Sequence, residues 1–154
     1  MSGPFPDLRN SIAFPAGEIN GAVMRNPLLA SSLFGLTGVV LGAFGAHALH
    51  DNLATRGTAG TWETAVFYQL IHALALLGVG LTHPATGRPR WLGRAALAWA
   101  VGIVLFSGSL YVFALGGPKL IGAIVPPFGG LSLIAGWACV FLHAKPAGST
   151  GSDS

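Results

Sequence analysis

Four stretches of this 154-residue chain carry no Asp, Glu, Lys or Arg: Leu28 to Leu49, Thr64 to Thr82, Ala95 to Leu115 and Leu120 to Leu142, of 22, 19, 21 and 23 residues. Charged residues make up 8% of the whole, against about 25% in soluble domains. A helix needs about 20 apolar residues at ~1.5 Å each to cross a hydrocarbon layer ~30 Å thick, and every one of these stretches is long enough or nearly so. Backbone amides inside lipid have no water to bind, so segments of this length cross as helices. The sequence therefore predicts an all-α, polytopic membrane protein, a four-transmembrane-helix bundle, and excludes a soluble globular domain.

The connections are too short to hold a second fold, which predicts one transmembrane domain over 27–143. Residues 1–26, with Pro4, Pro6, Pro15, Gly17 and Gly21, read as a flexible N-terminal extension; they have no unbroken apolar core followed by a small-residue cleavage site, unlike a signal peptide. Met24 stands just before the first span, so Met1 and Met24 are both candidate translation starts. The Gly/Ser-rich residues 144–154 read as a disordered tail. The net charge of +3 does not point to nucleic acid, because the basic residues are scattered around the span ends. They read as topology: with the N-terminus inside, Arg9, Arg25, Arg88, Arg90, Arg94 and Lys145 face the cytoplasm against Arg56 and Lys119 outside, so both termini are expected in the cytoplasm. The single cysteine, Cys139, lies in an apolar run, which leaves no disulfide framework and no thiolate cluster.

Local signals mark the helix ends. Asn26-Pro27 supplies a cap and a first-turn proline for a helix to about Leu49. The segment His50–Gly60 reads as a connection, after which Thr61 caps a second helix whose Glu63 faces the positive end of the helix dipole. That helix runs to about Thr82, and His83-Pro84 turns the chain. The third span begins near Trp91 and stops at Gly116-Gly117-Pro118. Pro126-Pro127 removes two backbone donors from the last run, which predicts a short leading segment from Leu120 and a helix from about Pro127 to His143. Trp62 and Trp91 are placed as interfacial anchors.

Small residues form the clearest pattern. Ser31, Gly35, Gly38, Gly42 and Gly45 share one face of the first helix, and Gly129, Ser132, Gly136 and Cys139 repeat the theme on the fourth. Close backbone approach through such a groove supplies much of the attraction between helices in lipid, so the stripe is a packing seam within a bundle or between copies; a narrow path lined by backbone is the other reading. Polar residues at depth come next, since they are expensive in a membrane. Counting ~1.5 Å per residue from the outer ends, Tyr68, Gln69 and His72 fall at roughly 9, 10 and 15 Å and Ser107, Ser109 and Tyr111 at roughly 13, 10 and 7 Å. They form a candidate buried polar cluster, serving either mutual hydrogen bonding or a proton or ligand path. His47 and Glu63, each within about one turn of an outer helix end, are a candidate interfacial pair or simply two wet groups. His47 and His72 differ by roughly 12 Å in depth, which disfavours a shared haem, and no cofactor, metal or catalytic residue is predicted.

The runs Gly42-Ala43-Phe44-Gly45-Ala46-His47-Ala48-Leu49, Trp62-Glu63-Thr64-Ala65-Val66-Phe67-Tyr68-Gln69 with His72-Ala73-Leu74-Ala75-Leu76-Leu77, Leu105 to Tyr111, and Pro127-Phe128-Gly129-Gly130 through Gly136-Trp137 resemble, in this order, the transmembrane protein 256 family. Its bacterial members form a domain of unknown function. The resemblance covers about Leu28 to Leu142; the sequence departs from it in the long N-terminal extension and at Pro126-Pro127-Phe128. It implies an integral protein of the bacterial inner membrane, or of mitochondria in eukaryotic relatives, and brings no reaction, ligand or catalytic residue with it.

The functional expectation is a non-enzymatic structural or accessory membrane component, surrounded by the lipid bilayer and packing through the glycine stripe into a homo-oligomer or beside a larger membrane complex. The rival is a small transporter or channel subunit built on His72 with Gln69, Ser107 and Tyr68. A membrane redox or lipid enzyme ranks third.

Overall fold

A computed structural model describes residues 26–82 and 89–145. The expectations for the N-terminal extension, the His83-Pro84 turn and the C-terminal tail fall almost wholly outside these residues. Among the described residues there are five helices and no strand: α1 (Pro27–Ala46), α2 (His50–Arg56), α3 (Ala59–Leu81), α4 (Arg90–Ala114) and α5 (Lys119–Ala144). All but α2 are long and apolar enough to cross a membrane. The chain is thus the all-α, four-span protein that its uncharged stretches require.

Asn26 Oδ1 accepts from the Leu28 amide at 3.1 Å, and Pro27 occupies the first turn of α1. The helix stops at Ala46, three residues short of expectation, because the chain turns at His47–Leu49 to start α2. A seven-residue helix is marginal alone. Leu53, 2% exposed, holds this one down by packing with Trp62 and Ala114, and Gly57 ends it at φ 67°. Asp51 in its first turn and Arg56 in its last complement the helix dipole. The cap of α3 also differs. Thr58, not Thr61, precedes the first turn, and its hydroxyl donates to the Ala114 carbonyl of α4 at 2.9 Å instead of capping α3.

The prolines do not break α5, which runs continuously through Pro126 and Pro127. Two i to i−4 bonds are missing there, yet in lipid the helix is the only conformation that satisfies the remaining amides, so it persists. Close seating on α4 helps: Gly122 lies on Phe113, Pro126 is buried, and Gly129 lies on Phe106.

Neighbours in the chain pack on one another, α1 on α3, α3 on α4 and α4 on α5, with α2 against α1 and α3. The core joins Ala30, Leu76, Val79, Leu92, Ala95, Ala96, Trp99, Ile103 and Leu133. Outside it the order expected of a soluble protein is inverted: Leu36, Leu74, Phe128 and Phe141 point outward while Ser31, Gln69, His72, Ser107 and Ser109 are buried. Such an apolar exterior is what a lipid solvent selects.

Candidate functional site

Gln69 and His72 lie one turn apart on α3, both 4% exposed, and each reaches a different set of neighbours. The Gln69 amide nitrogen donates to the Phe34 carbonyl and to Thr37 Oγ1 of α1, both at 2.8 Å, while its oxygen accepts from Tyr111 OH of α4 at 3.0 Å. The Phe34 carbonyl can only accept, so it fixes which end of the amide faces α1. Three helices thus meet on one side chain.

At His72 the roles are equally determined. An indole N–H only donates, so the 3.2 Å contact from Trp137 Nε1 of α5 makes His72 Nε2 the acceptor. The proton then sits on Nδ1 and is donated to the Tyr68 carbonyl at 2.8 Å. Tyr68 stacks on the imidazole at 6.0 Å, with Trp137 at 6.2 Å and Trp99 at 6.4 Å, and the two indoles meet edge to face at 4.9 Å. The ring is neutral, walled by aromatics and supplied with a partner at each nitrogen.

The two serines expected in this cluster stand apart from it. Ser109 donates to the Phe106 carbonyl of its own helix at 2.9 Å, the usual recourse of a short hydroxyl in a helix. Ser107 Oγ, fully buried, has no hydrogen-bond partner, nor has Trp99 Nε1. Only Tyr111, of the α4 residues named from depth, is long enough to cross to Gln69. Thr37, Trp99 and Trp137 were missed. The depth count, run over tryptophans as well, would have found one of them: from the helix ends Ala59 and Ala114, His72 and Trp99 lie roughly 20 and 23 Å down.

Trp62 is not an interfacial anchor. It is 3% exposed, its indole N–H donates to the Leu41 carbonyl of α1 at 3.0 Å, and Tyr111 meets its ring at 4.7 Å. Trp91 is half-buried beneath the Arg94 guanidinium, 4.9 Å from the ring centre. His47 and Glu63 are both exposed and are not joined; it is His50 that meets a carboxylate, its Nδ1 lying 3.1 Å from Asp51 Oδ1. His47 follows the end of α1, and His50, like Glu63, lines a cleft of 380 Å³ between α1, α2 and α3.

The small-residue stripes lie against neighbouring helices of the same chain. Ser31 is buried; Gly38 faces Leu70 and Gln69, Gly42 faces Val66 and Gly45 faces Trp62, whereas Gly35 has open space where a side chain would be. On α5, Gly129 rests on the Phe106 backbone, Ser132 donates to the Ala98 carbonyl at 2.8 Å, and Gly136 faces Trp99. A regularity links the seams to the hydrogen bonds. A helical Cβ leans over the preceding turn and covers the carbonyl four residues back. Phe34, Leu41 and Ala98, the carbonyls that accept from Gln69, Trp62 and Ser132, each stand four residues before a glycine: Gly38, Gly45 and Gly102. The missing side chains uncover lone pairs for a neighbouring helix to use.

Four lipid-crossing helices, buried polar cross-links and an apolar exterior define a small polytopic membrane protein. The chain belongs to the family described as "Protein of unknown function (DUF423)", which matches residues 41–130. It is 40% identical over 117 residues to a UPF0382 membrane protein of Staphylococcus saprophyticus, covering 74% of this chain and 92% of that one. It is 38% identical over 120 residues to the UPF0382 inner membrane protein YgdD of Escherichia coli K12, covering 78% and 89%. No solved structure matches.

Proposed function

We propose that the protein is a non-enzymatic accessory component of the bacterial inner membrane, with both termini in the cytoplasm, in which buried Gln69 and His72 tie helices together and do not carry protons or ligands. The observation that supports this reading is the complete use of His72: a relay needs a ring nitrogen free to exchange a proton, and both of its nitrogens are engaged, one by an indole that can only donate. Gln69 is spent in the same way on Phe34, Thr37 and Tyr111. The relatives' description as inner membrane proteins supports the location, and the excess of Lys and Arg beside the N-terminal, Arg88–Arg94 and C-terminal segments supports the orientation.

Trp137→Phe tests the reading, because it keeps an aromatic ring beside Trp99 and deletes only the donor to His72. The expected outcome is a bundle less stable by about 0.6 kcal/mol, the average for one interhelical hydrogen bond in lipid, with proton permeability of proteoliposomes equal for variant, parent and empty vesicles. A parent protein that conducts protons, with a rate altered in Trp137→Phe, would overturn it.

A further inference from the structure

The 380 Å³ cleft between α1, α2 and α3 takes no part in either polar network, and its chemistry is graded. Val66, Phe67 and Leu70 form the α3 side of its wall, roughly 11 to 17 Å along the helix from Ala59. Gly42, Gly45 and Ala46 line the α1 side, where Val66 and Trp62 of α3 pack close against the two glycines. His50, the first residue of α2, and Glu63, in the second turn of α3, are its ionisable lining groups, and both lie toward the end of the bundle where α2 crosses between the spans. The volume lies in the range of small-ligand sites, about 300 to 1,000 Å³, and suits one hydrocarbon chain with part of a head group.

Charge selects the head group. Glu63 is exposed, and among the described residues no Lys, Arg or His lies within salt-bridge distance of it; His50 Nδ1 instead hydrogen-bonds Asp51 at 3.1 Å. The basic residue of the same region, Arg56, is directed elsewhere: its Nε donates to Asn52 at 2.9 Å and its guanidinium lies over Gly116 at the end of α4. The polar end of the cleft therefore presents Glu63, with His50 hydrogen-bonded to Asp51, to whatever occupies it. An occupant with an apolar tail and an ammonium group satisfies both halves.

We propose that the cleft is a binding site for one phospholipid bearing a primary ammonium head group, with an acyl chain against Val66, Phe67 and Leu70 and the ammonium donating to the Glu63 carboxylate. A quaternary ammonium has the charge but no N–H to donate, and a glycerol head group has neither.

The test uses the full chain in nanodiscs of equal parts dioleoyl phosphatidylethanolamine, phosphatidylcholine and phosphatidylglycerol, followed by native mass spectrometry of the released protein. The expected result is one retained phosphatidylethanolamine per chain, favoured about fivefold over either competitor, the upper end of the scale for a single exposed ionic contact. Glu63→Gln is expected to erase that preference while still retaining lipid. Ala54→Phe, a change at an exposed residue of the cleft wall, is expected to abolish retention with the stability of the bundle unchanged. Equal retention of the three lipids by the parent, a preference that survives Glu63→Gln, retention that survives Ala54→Phe, or a second copy of the chain in place of lipid would each overturn the proposal. None of these outcomes bears on proton conduction through His72, so this site and the accessory role fail separately.

Discussion

Gln69 is where three helices are held by one side chain, and its worth follows from what its removal leaves behind. Gln69→Leu preserves bulk but strands Tyr111 OH and deprives Thr37 and the Phe34 carbonyl of a donor, all within the bundle. Interhelical hydrogen bonds in membranes average about 0.6 kcal/mol and reach about 1.7, so loss of three is expected to lower stability by about 2 kcal/mol. Tyr111→Phe, which removes one, is expected to lower it by about 0.6 kcal/mol. Reversible unfolding in mixed micelles measures both, and equal effects from the two variants would contradict the shared role of Gln69. Sequence alone made Gln69, His72 and Tyr111 visible, because a polar residue far from any span end has few explanations. It could not pair them. Depth along a helix says nothing of which way a side chain faces, and Ser107 and Ser109 have the right depth but too little reach. Trp137 and Trp62 escaped for another reason: their large apolar rings make them resemble lipid-facing anchors, and the single N–H that each commits to a neighbouring helix leaves no trace in composition.

Among elements, the seams between helices show what glycine contributes. Gly45 and Gly102 sit where an added Cβ meets Trp62 and Leu133, and each uncovers a carbonyl that a neighbouring helix uses. Gly45→Ala and Gly102→Ala are each expected to destabilise by about 1 to 3 kcal/mol through overpacking. Gly35→Ala and Gly78→Ala, where nothing lies within 4 Å, are expected to be neutral or stabilising by about 0.5 kcal/mol, since alanine loses less backbone entropy in a helix. Thermal unfolding of the four variants separates the classes, and a uniform response would show that the stripe acts only through propensity. Periodicity revealed the stripe but gave Gly35 the same standing as Gly38 and Gly45, because a repeat of three and four residues marks a face and not its contacts. Helix boundaries were legible where a local cap decides them, as at Asn26-Pro27, and illegible where distant residues do. α2 exists because Leu53 is buried against Trp62 and Ala114, and α5 continues through two prolines because lipid offers its backbone no alternative.

At the scale of the whole molecule, the cross-links divide the chain into two pairs of spans held together mainly across one interface. α1 and α2 rest on α3, and α5 rests on α4; the α3–α4 contact carries Gln69 to Tyr111, Thr58 to Ala114 and the core packing of Leu76 and Val79 with Leu92, Ala95 and Trp99. His72 and Trp137, both in ring contact with Trp99, add a bond from α3 to α5. The α3–α4 contacts and the His72–Trp137 bond each join residues before position 83 to residues after position 88, so none of them depends on the covalent connection between α3 and α4. Helices that are independently stable in lipid associate through such contacts in a second step. Two separately translated fragments, 1–85 and 86–154, are therefore expected to reassemble in one membrane and to copurify in equal amounts through a tag on either fragment. Thr58→Val combined with Gln69→Leu removes the two α3–α4 hydrogen bonds without adding bulk, leaving that of His72 with Trp137, and is expected to reduce recovery of the untagged fragment by about tenfold if the losses at the two sites approach 1.4 kcal/mol together. Fragments that insert but never copurify would mean that the interface is too weak to define the bundle, and that the connection between α3 and α4 is itself a structural element.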